Sequence, residues 1–260
     1  MTVRIALVSD LHLEFSSSHP CSLVGLEENA DLLLAAGDIS VGAGGVEWCA
    51  AAPIPVCYVP GNHEYYRTDI ERTRRLMADC AARFPHVHLL DPGVAEFQVR
   101  GQAVRVIGAT LWTDYKLFGD GGMRDVSMDR ARSGLNDHRL IGFDGGRWLP
   151  EDAANAFDES VTFITEQLDK PFAGLSVVMT HHGPSGKVVH PNFAGDELSP
   201  AFVSGLDHLV ERADVWAYGH THSNIEVRIG GCRLISNQRG YRDENPAWKV
   251  RIYDCDLPAG

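Results

Sequence analysis

Short apolar runs alternate with amphipathic stretches in the first third of the chain. Three of these runs are rich in Val, Ile, Leu and Ala and predict buried strands, at residues 3–8, 31–36 and 55–59. Between and after them the pattern predicts a short helix at 46–51 and a longer one at 69–84, with Thr68 as its cap. Strands that alternate with helices in this way are typical of an α/β fold.

The rest of the chain is richer in strand patterns. Predicted strands lie at residues 87–90, 94–99, 103–107, 176–180, 213–218, 224–229, 232–236 and 248–254. A hairpin turn is expected at 100–102 and helices at 151–168 and 200–212, whereas residues 111–150 are the least regular part. Two sheets packed face to face with helices outside would accommodate both the alternating strands and helices of the first third and the strand-rich remainder. Because no linker, charge block or repeat divides the chain, we expect a single domain over residues 1–260.

Five short polar motifs each follow a predicted strand. They are Asp10-Leu11-His12, Gly37-Asp38, Gly61-Asn62-His63-Glu64, His181-His182-Gly183-Pro184 and Gly219-His220-Thr221-His222. In α/β folds ligands bind beyond the carboxyl ends of the strands, so we expect these motifs to meet. In an extended segment the spacing of His220 and His222 also puts both imidazoles on one side.

The side chains of these motifs form a consistent set of metal ligands. It consists of two carboxylates, one amide and four imidazoles, on Asp10, Asp38, Asn62, His12, His181, His220 and His222. Such donors without thiolates suit zinc, manganese, iron or cobalt. Seven donors are too many for one tetrahedral ion and about right for two ions with Asp38 between them. The sequence therefore predicts two transition-metal ions as the cofactor.

Composition narrows the choice of partners. The formal net charge of −12 argues against a long nucleic acid, which requires a basic surface. Apolar residues make up 44% and charged residues 22%, as in ordinary globular proteins, and neither a signal peptide nor a membrane-spanning run is evident. The six cysteines are scattered without a Cys-x-x-Cys pair, so we expect unpaired thiols and a cytoplasmic location.

The motifs Asp-x-His, Gly-Asp, Gly-Asn-His-Glu, a downstream His and Gly-His-x-His, in this order over residues 10–222, resemble those of the calcineurin-like metallophosphoesterases. The resemblance implies a four-layer α/β/β/α sandwich with two mixed sheets and the metal site at the carboxyl ends of the strands. It also implies two metal sites that share one ligand, with Asp10, His12, Asp38 and His222 in one and Asp38, Asn62, His181 and His220 in the other. His63 matches the family histidine that contacts the phosphate and protonates the leaving group.

These features predict a phosphoesterase that hydrolyses a small phosphodiester, or a monoester, by attack of a hydroxide that bridges the metals. His63 and Asp38 are its expected catalytic residues. A diester is favoured because no further Arg is evident for a dianion, and the Arg that protein Ser/Thr phosphatases carry shortly after Gly37-Asp38 is absent. A nuclease or phosphomonoesterase with the same site is an alternative, as is a metal-bound scaffold without turnover. The intact ligand set and His63 argue against the scaffold.

Several residues near the motifs are candidate substrate contacts. They are His182, Glu64, Tyr65, Trp112 and Arg239, with core packing as the alternative for the aromatic residues and orientation of His63 as an alternative for Glu64. Residues 111–150 are interpreted either as a lid that recognises the substrate or as an ordinary surface excursion. No role is assigned to the histidines at 19, 86, 88, 138, 190 and 208.

Overall fold

Two large mixed sheets form the centre of the computed structural model, which describes residues 2–15, 21–242 and 244–256. Their strands and those of a small hairpin are, in chain order, β1 (Thr2–Val8), β2 (Leu32–Ala36), β3 (Val56–Val59), β4 (Val87–Leu89), β5 (Gly93–Val99), β6 (Gln102–Ala109), β7 (Gly142–Phe143), β8 (Gly146–Arg147), β9 (Leu175–Thr180), β10 (Val215–Tyr218), β11 (Val227–Ile229), β12 (Cys232–Ser236) and β13 (Arg251–Asp256). His19, to which the sequence analysis assigns no role, lies outside the described residues.

The inner strands of both sheets are parallel. The first sheet has the order β13-β1-β2-β3-β4, in which only β13 runs antiparallel to its neighbour. The second has the order β11-β12-β10-β9-β6-β5, with antiparallel strands at its two edges. Parallel strands end at one edge of a sheet, so the polar motifs that follow β1, β2, β3, β9 and β10 are gathered together.

Helices cover the outer face of each sheet. They are α1 (Gly44–Cys49), α2 (Ile70–Ala81), α3 (Gly122–Gly134), α4 (Asp137–Leu140), α5 (Pro150–Asp169) and α6 (Asp207–Val210). Helices α1 and α2 pack on the first sheet, and α5 packs on the second with α3 beside it. The four-layer α/β/β/α prediction is therefore confirmed. None of the described helices is both long and apolar enough to cross a membrane.

The central strands are buried on both faces. In β1, Ile5 and Leu7 point between the two sheets, where they join Val177 and Met179 of β9. Ala6 and Val8 of the same strand point to the helix layer instead. A strand with two buried faces needs apolar residues at successive positions, which explains the unbroken apolar runs of the sequence. All six cysteines are described and unpaired, as expected.

Three local predictions differ from the structure. Helix α2 is capped by Asp69, whose side chain accepts a hydrogen bond from the Arg72 amide, and not by Thr68. The helix predicted at 200–212 is wrong, because Phe202 and Ser204 pair through their backbones with Gly183. Only a 3₁₀ turn at Ser199–Ala201 and α6 are helical there. The stretch 111–150, expected to be irregular, contains α3, α4 and the β7–β8 hairpin.

Candidate metal centre

The donor loops have an unusual backbone. Asp10, His12, Asp38, His220 and His222 all have φ between 46° and 70°, a left-handed region that residues other than glycine rarely adopt. Each such residue costs on the order of 1–3 kcal/mol and persists only where the surroundings enforce it. Strain concentrated at five polar residues that meet at one sheet edge is an independent indication of a functional site.

One donor group consists of Asp10, His12 and His222. The two imidazole Nε2 atoms lie 3.1 Å apart, and His222 Nε2 lies 3.3 Å from Asp10 Oδ1. Asp10 is fully buried, and its carboxylate also accepts hydrogen bonds from the Ser9 hydroxyl and the His220 amide. Burial alone would raise the pKa of Asp10, but His222 and His181 outweigh it and lower that pKa.

The second donor group consists of Asp38, Asn62, His181 and His220. His181 Nε2 lies at its centre, 3.1 Å from Asn62 Oδ1, 3.2 Å from His220 Nδ1 and 3.4 Å from Asp38 Oδ1. The other oxygen of Asp38 lies 3.9 Å from His12 Nε2 of the first group. Asp38 is therefore the side chain that faces both groups.

These spacings fit two bound cations. Donors held about 2.1 Å from one ion lie about 3.0–3.4 Å from each other in octahedral or tetrahedral geometry. The measured separations within the two groups fall between 3.1 and 3.4 Å. Burial and the neighbouring His182 hold the pKa of His220 well below its ordinary value, which keeps this imidazole in the neutral form that a ligand needs.

The glycines of the motifs allow the loops to come this close. A Cβ on Gly37 would overlap the imidazole of His181, and a Cβ on Gly61 would overlap the carboxylate of Asp38. Any other residue at either position would push a donor out of its group.

His63 lies at the mouth of the centre and belongs to neither group. Its Nε2 is 3.9 Å from Asp38 Oδ2, and its Nδ1 is 2.9 Å from Glu14 Oε1. The Tyr241 hydroxyl lies 3.2 Å from Nε2. Burial alone would lower the pKa of His63, but Asp38 and Glu14 outweigh it and raise that pKa to about 9. The imidazole is thus protonated near neutral pH and aimed at the space above Asp38.

An outer layer of polar groups fixes the donors, and sequence reasoning missed most of it. Its contacts are Asn62 Nδ2 to Asp137 Oδ1 (2.8 Å), His222 Nδ1 to Glu244 Oε2 (2.5 Å), the His222 amide to Gln238 Oε1 (2.5 Å) and His181 Nδ1 to the Ala36 carbonyl (2.8 Å). Such partners set which ring nitrogen faces a metal. Asp137, Glu244 and Glu14 belong to no motif. Gln238 is adjacent in sequence to Arg239, the candidate substrate contact named above.

Glu64 lies beneath the metal centre and not in the cleft, which corrects its assignment as a substrate contact. It is fully buried, and its carboxylate accepts four hydrogen bonds. Three come from the backbone amides of Asp38 (3.1 Å), Ile39 (2.9 Å) and Gly61 (2.7 Å), and one comes from the Tyr58 hydroxyl (2.6 Å). Glu64 therefore ties together the loops that carry Asp38 and Asn62.

The other candidate substrate contacts also lie away from the cleft. Tyr65 is fully buried and donates a hydrogen bond to Asp91. Trp112 packs in the core against His182, with ring centroids 5.2 Å apart. His182 is 1% exposed, and its Nδ1 lies 3.2 Å from the Thr110 carbonyl. Arg239 donates to the Leu11 carbonyl, which supports the first donor loop. Side-chain direction, which residue spacing alone does not determine, is the reason for all four corrections.

The centre opens into a cleft of about 630 Å³. Its walls include Tyr66, Tyr241, Phe202 and residues 134–137 of the 111–150 excursion. Among the described residues that line it, none is Lys or Arg, whereas Asp137 and Glu244 add acidic groups. Closure of the excursion as a lid stays a prediction.

Comparisons with known proteins agree with this geometry. A family model of calcineurin-like phosphoesterases matches residues 3–224. Protein L509 of Acanthamoeba polyphaga mimivirus is 25% identical over 215 residues, which cover 76% of this chain and 72% of that protein. The phosphopantetheinyl hydrolase of Mycobacterium tuberculosis has a similar fold, with a TM-score of 0.71 at 17% identity over 97% of this chain and 96% of that one. A dimetal phosphatase of Danio rerio has a TM-score of 0.51 at 13% identity over 90% and 86% of the two chains.

Proposed function

The chain belongs to the calcineurin-like phosphoesterases, and on that premise we propose that it hydrolyses a small phosphodiester with two bound transition-metal ions. The observation that carries the proposal is the pair of neighbouring donor groups at the base of a cleft, with Asp38 facing both groups and His63 above them. Manganese, iron, zinc and cobalt all suit this donor set.

Asp10, His12, Asp38 and His222 would hold one ion, and Asp38, Asn62, His181 and His220 would hold the other. When bound, such a pair supplies Lewis-acid polarisation of phosphoryl oxygens and an activated water molecule.

His63 is the proposed general acid. The water oxygen forms the new bond to phosphorus, and the His63 Nε2 proton passes to the leaving oxygen as its bond to phosphorus breaks. Glu14 holds Nδ1 at 2.9 Å, which aims Nε2 into the cleft. The ring of Tyr241 is stacked on that of His12, with centroids 4.6 Å apart, and its hydroxyl lies 3.2 Å from the same Nε2.

The charge of the cleft supports a diester over a monoester. A monoester is a dianion near neutral pH, and its second charge would need a cationic side chain besides the metals and His63, which faces the leaving oxygen. Among the described residues, the lining of the cleft includes no Lys or Arg that could supply it, and Asp137 and Glu244 would repel that charge. The same acidic walls disfavour a long nucleic acid.

The test combines metal analysis with turnover. Purified protein is loaded with Mn, Zn, Fe or Co, and hydrolysis of methyl p-nitrophenyl phosphate is compared with that of p-nitrophenyl phosphate. We expect two metals per chain, faster turnover of the diester, and a loss of more than about 100-fold in kcat/KM for Asp38→Asn. Asp79→Asn, on the exposed face of α2, is the matched control.

Each other outcome changes the conclusion in a defined way. A monoester preference would refute the substrate class and keep the metal centre. Two bound metals without turnover of either ester would favour the non-catalytic scaffold. Full activity of Asp38→Asn would refute the shared role of that carboxylate.

A further inference from the structure

A second, smaller cavity opens beside the metal centre. Its volume is about 190 Å³. It shares His190, Phe193, Phe202 and Thr221 with the cleft, and Thr221 lies between the donors His220 and His222. We call this cavity the side pocket. A phosphoester held at the metal centre would therefore have one of its arms next to the side pocket.

The wall of the side pocket is mainly hydrocarbon. It is lined by Val189, Phe193, Leu198, Phe202 and Val203, together with His190, Asp196, Ser199 and Thr221.

Three of the polar side chains in this lining bond to the backbone of their own loop. His190 Nδ1 accepts from the Asn192 amide (3.1 Å), Asp196 Oδ1 accepts from the Leu198 amide (2.8 Å), and the Ser199 hydroxyl donates to the Phe193 carbonyl (2.6 Å). A sugar or base buried here would give up hydrogen bonds to water with little return.

The loop that forms the side pocket is anchored at both ends. Gly183 and Val203 form a bridge at its base, and the Ser185 hydroxyl donates to Asp207 at 2.6 Å. Phe202 is stacked on the donor His220, with ring centroids 4.7 Å apart. The pocket is therefore formed before a ligand arrives, which lowers the cost of binding.

Its size restricts the occupant. A dry apolar cavity of about 150 Å³ binds benzene, so a pocket of about 190 Å³ accommodates a phenyl ring or a branched alkyl group of similar size. Resting on the proposed function, we propose that the side pocket binds a short apolar arm of the substrate, so that the substrate class is an alkyl or aryl phosphoester rather than a nucleotide.

The test uses phosphonates, which are not hydrolysed at their P–C bond. Binding of methyl-, isobutyl- and benzylphosphonate and of adenosine 5′-monophosphate to the metal-loaded protein is measured by titration calorimetry. Each buried methylene contributes about fourfold in affinity. We therefore expect isobutyl- and benzylphosphonate to bind at least about tenfold more tightly than methylphosphonate and adenosine monophosphate.

Two variants test whether the difference in phosphonate affinity arises in the side pocket. Leu198→Trp fills the side pocket and should bring the benzyl-to-methyl affinity ratio close to one, with metal content and melting temperature measured alongside. Leu76→Trp, at a position 52% exposed on α2, is the control and should keep the wild-type ratio.

The failures are distinguishable. Equal affinity for the three phosphonates, an unchanged ratio in Leu198→Trp, or tighter binding of adenosine monophosphate would overturn the inference while ester hydrolysis stands. Absence of both phosphonate binding and ester turnover in the metal-loaded protein would overturn the proposed function, and the inference with it.

Discussion

Replacing Glu64 by Gln tests whether a buried carboxylate holds the two donor loops in place. The substitution keeps the shape of the side chain and changes one acceptor oxygen into an NH₂ group. In the protein, Oε1 accepts from the Ile39 amide and the Tyr58 hydroxyl, and Oε2 accepts from the amides of Asp38 and Gly61. The new amide must therefore face two of these donors.

The cost follows from the donors left without an acceptor. If the NH₂ group replaces Oε2, two buried backbone amides lose their partner. If it replaces Oε1, the Tyr58 hydroxyl can turn to accept, and only the Ile39 amide is lost. An unpaired buried donor costs about 1–3 kcal/mol. Because the side chain adopts the orientation that leaves one donor unpaired, we expect a loss of about 1–3 kcal/mol in the free energy of unfolding. In a chain of this size that lowers the melting temperature by about 2–12 °C.

The measurement is urea unfolding with a chelator present, so that metal binding does not contribute to the difference. The matched control is Glu71→Gln on α2, whose side chain is 51% exposed in an ion pair with Arg74 and should change stability by less than about 0.5 kcal/mol. A Glu64→Gln protein within about 0.5 kcal/mol of wild type would refute the reasoning. Weaker metal binding should accompany the loss, because the same hydrogen bonds position Asp38.

Three further predictions concern the chemistry of the centre. His63→Ala should retain both metals and lower kcat by about 10²–10⁴-fold for an alkoxide leaving group but far less for p-nitrophenolate; equal losses for both esters would contradict its role as the acid. Glu14→Gln removes a group that raises the pKa of His63, so the alkaline limb of the pH–rate profile should move to lower pH. An alkaline limb that stays in place would show that Glu14 does not act through His63. Burial lowers the pKa of His181, but Asp38 outweighs this effect and raises that pKa to about 10. A cation that binds His181 must therefore displace a proton. Uptake of Mn²⁺ in weak buffer should release protons, and Mn²⁺ binding should be weaker at pH 6 than at pH 8. Uptake without proton release would contradict this last prediction.

Much of the fold was predictable because strands buried on both faces leave a strong local signature. The apolar runs at residues 31–36 and 55–59 correspond to β2 and β3 within one residue at each end. The failed helix at 200–212 has a physical cause that lies elsewhere in the chain. The backbone of Ser204 pairs with Gly183, and this long-range hydrogen bond outweighs the local helical pattern.

The candidate site, like the fold, was predictable where it depends on local properties of the sequence and not where it depends on long-range contacts. The kinds of donor are a property of residue type, so the seven expected metal ligands could be named from their motifs, and the structure gathers all of them into two groups. The direction of each side chain is not a local property. Glu64 lies two residues after the donor Asn62, and His182 directly follows the donor His181, yet both turn into the interior.

The sequence by itself determined the class of the protein, because the chemistry of Asp, Asn and His and the order of the apolar runs are local properties. Only the tertiary structure decided which atoms face one another. His12 and His222 are separated by 210 positions in the chain and meet through their Nε2 atoms, while Glu14, Asp137 and Glu244 reach their partners from loops without a motif. The side pocket likewise exists only where the loop after β9 closes on Val203 beside the donors. These contacts depend on how the two sheets bring distant loops to one edge, which no stretch of the sequence encodes alone.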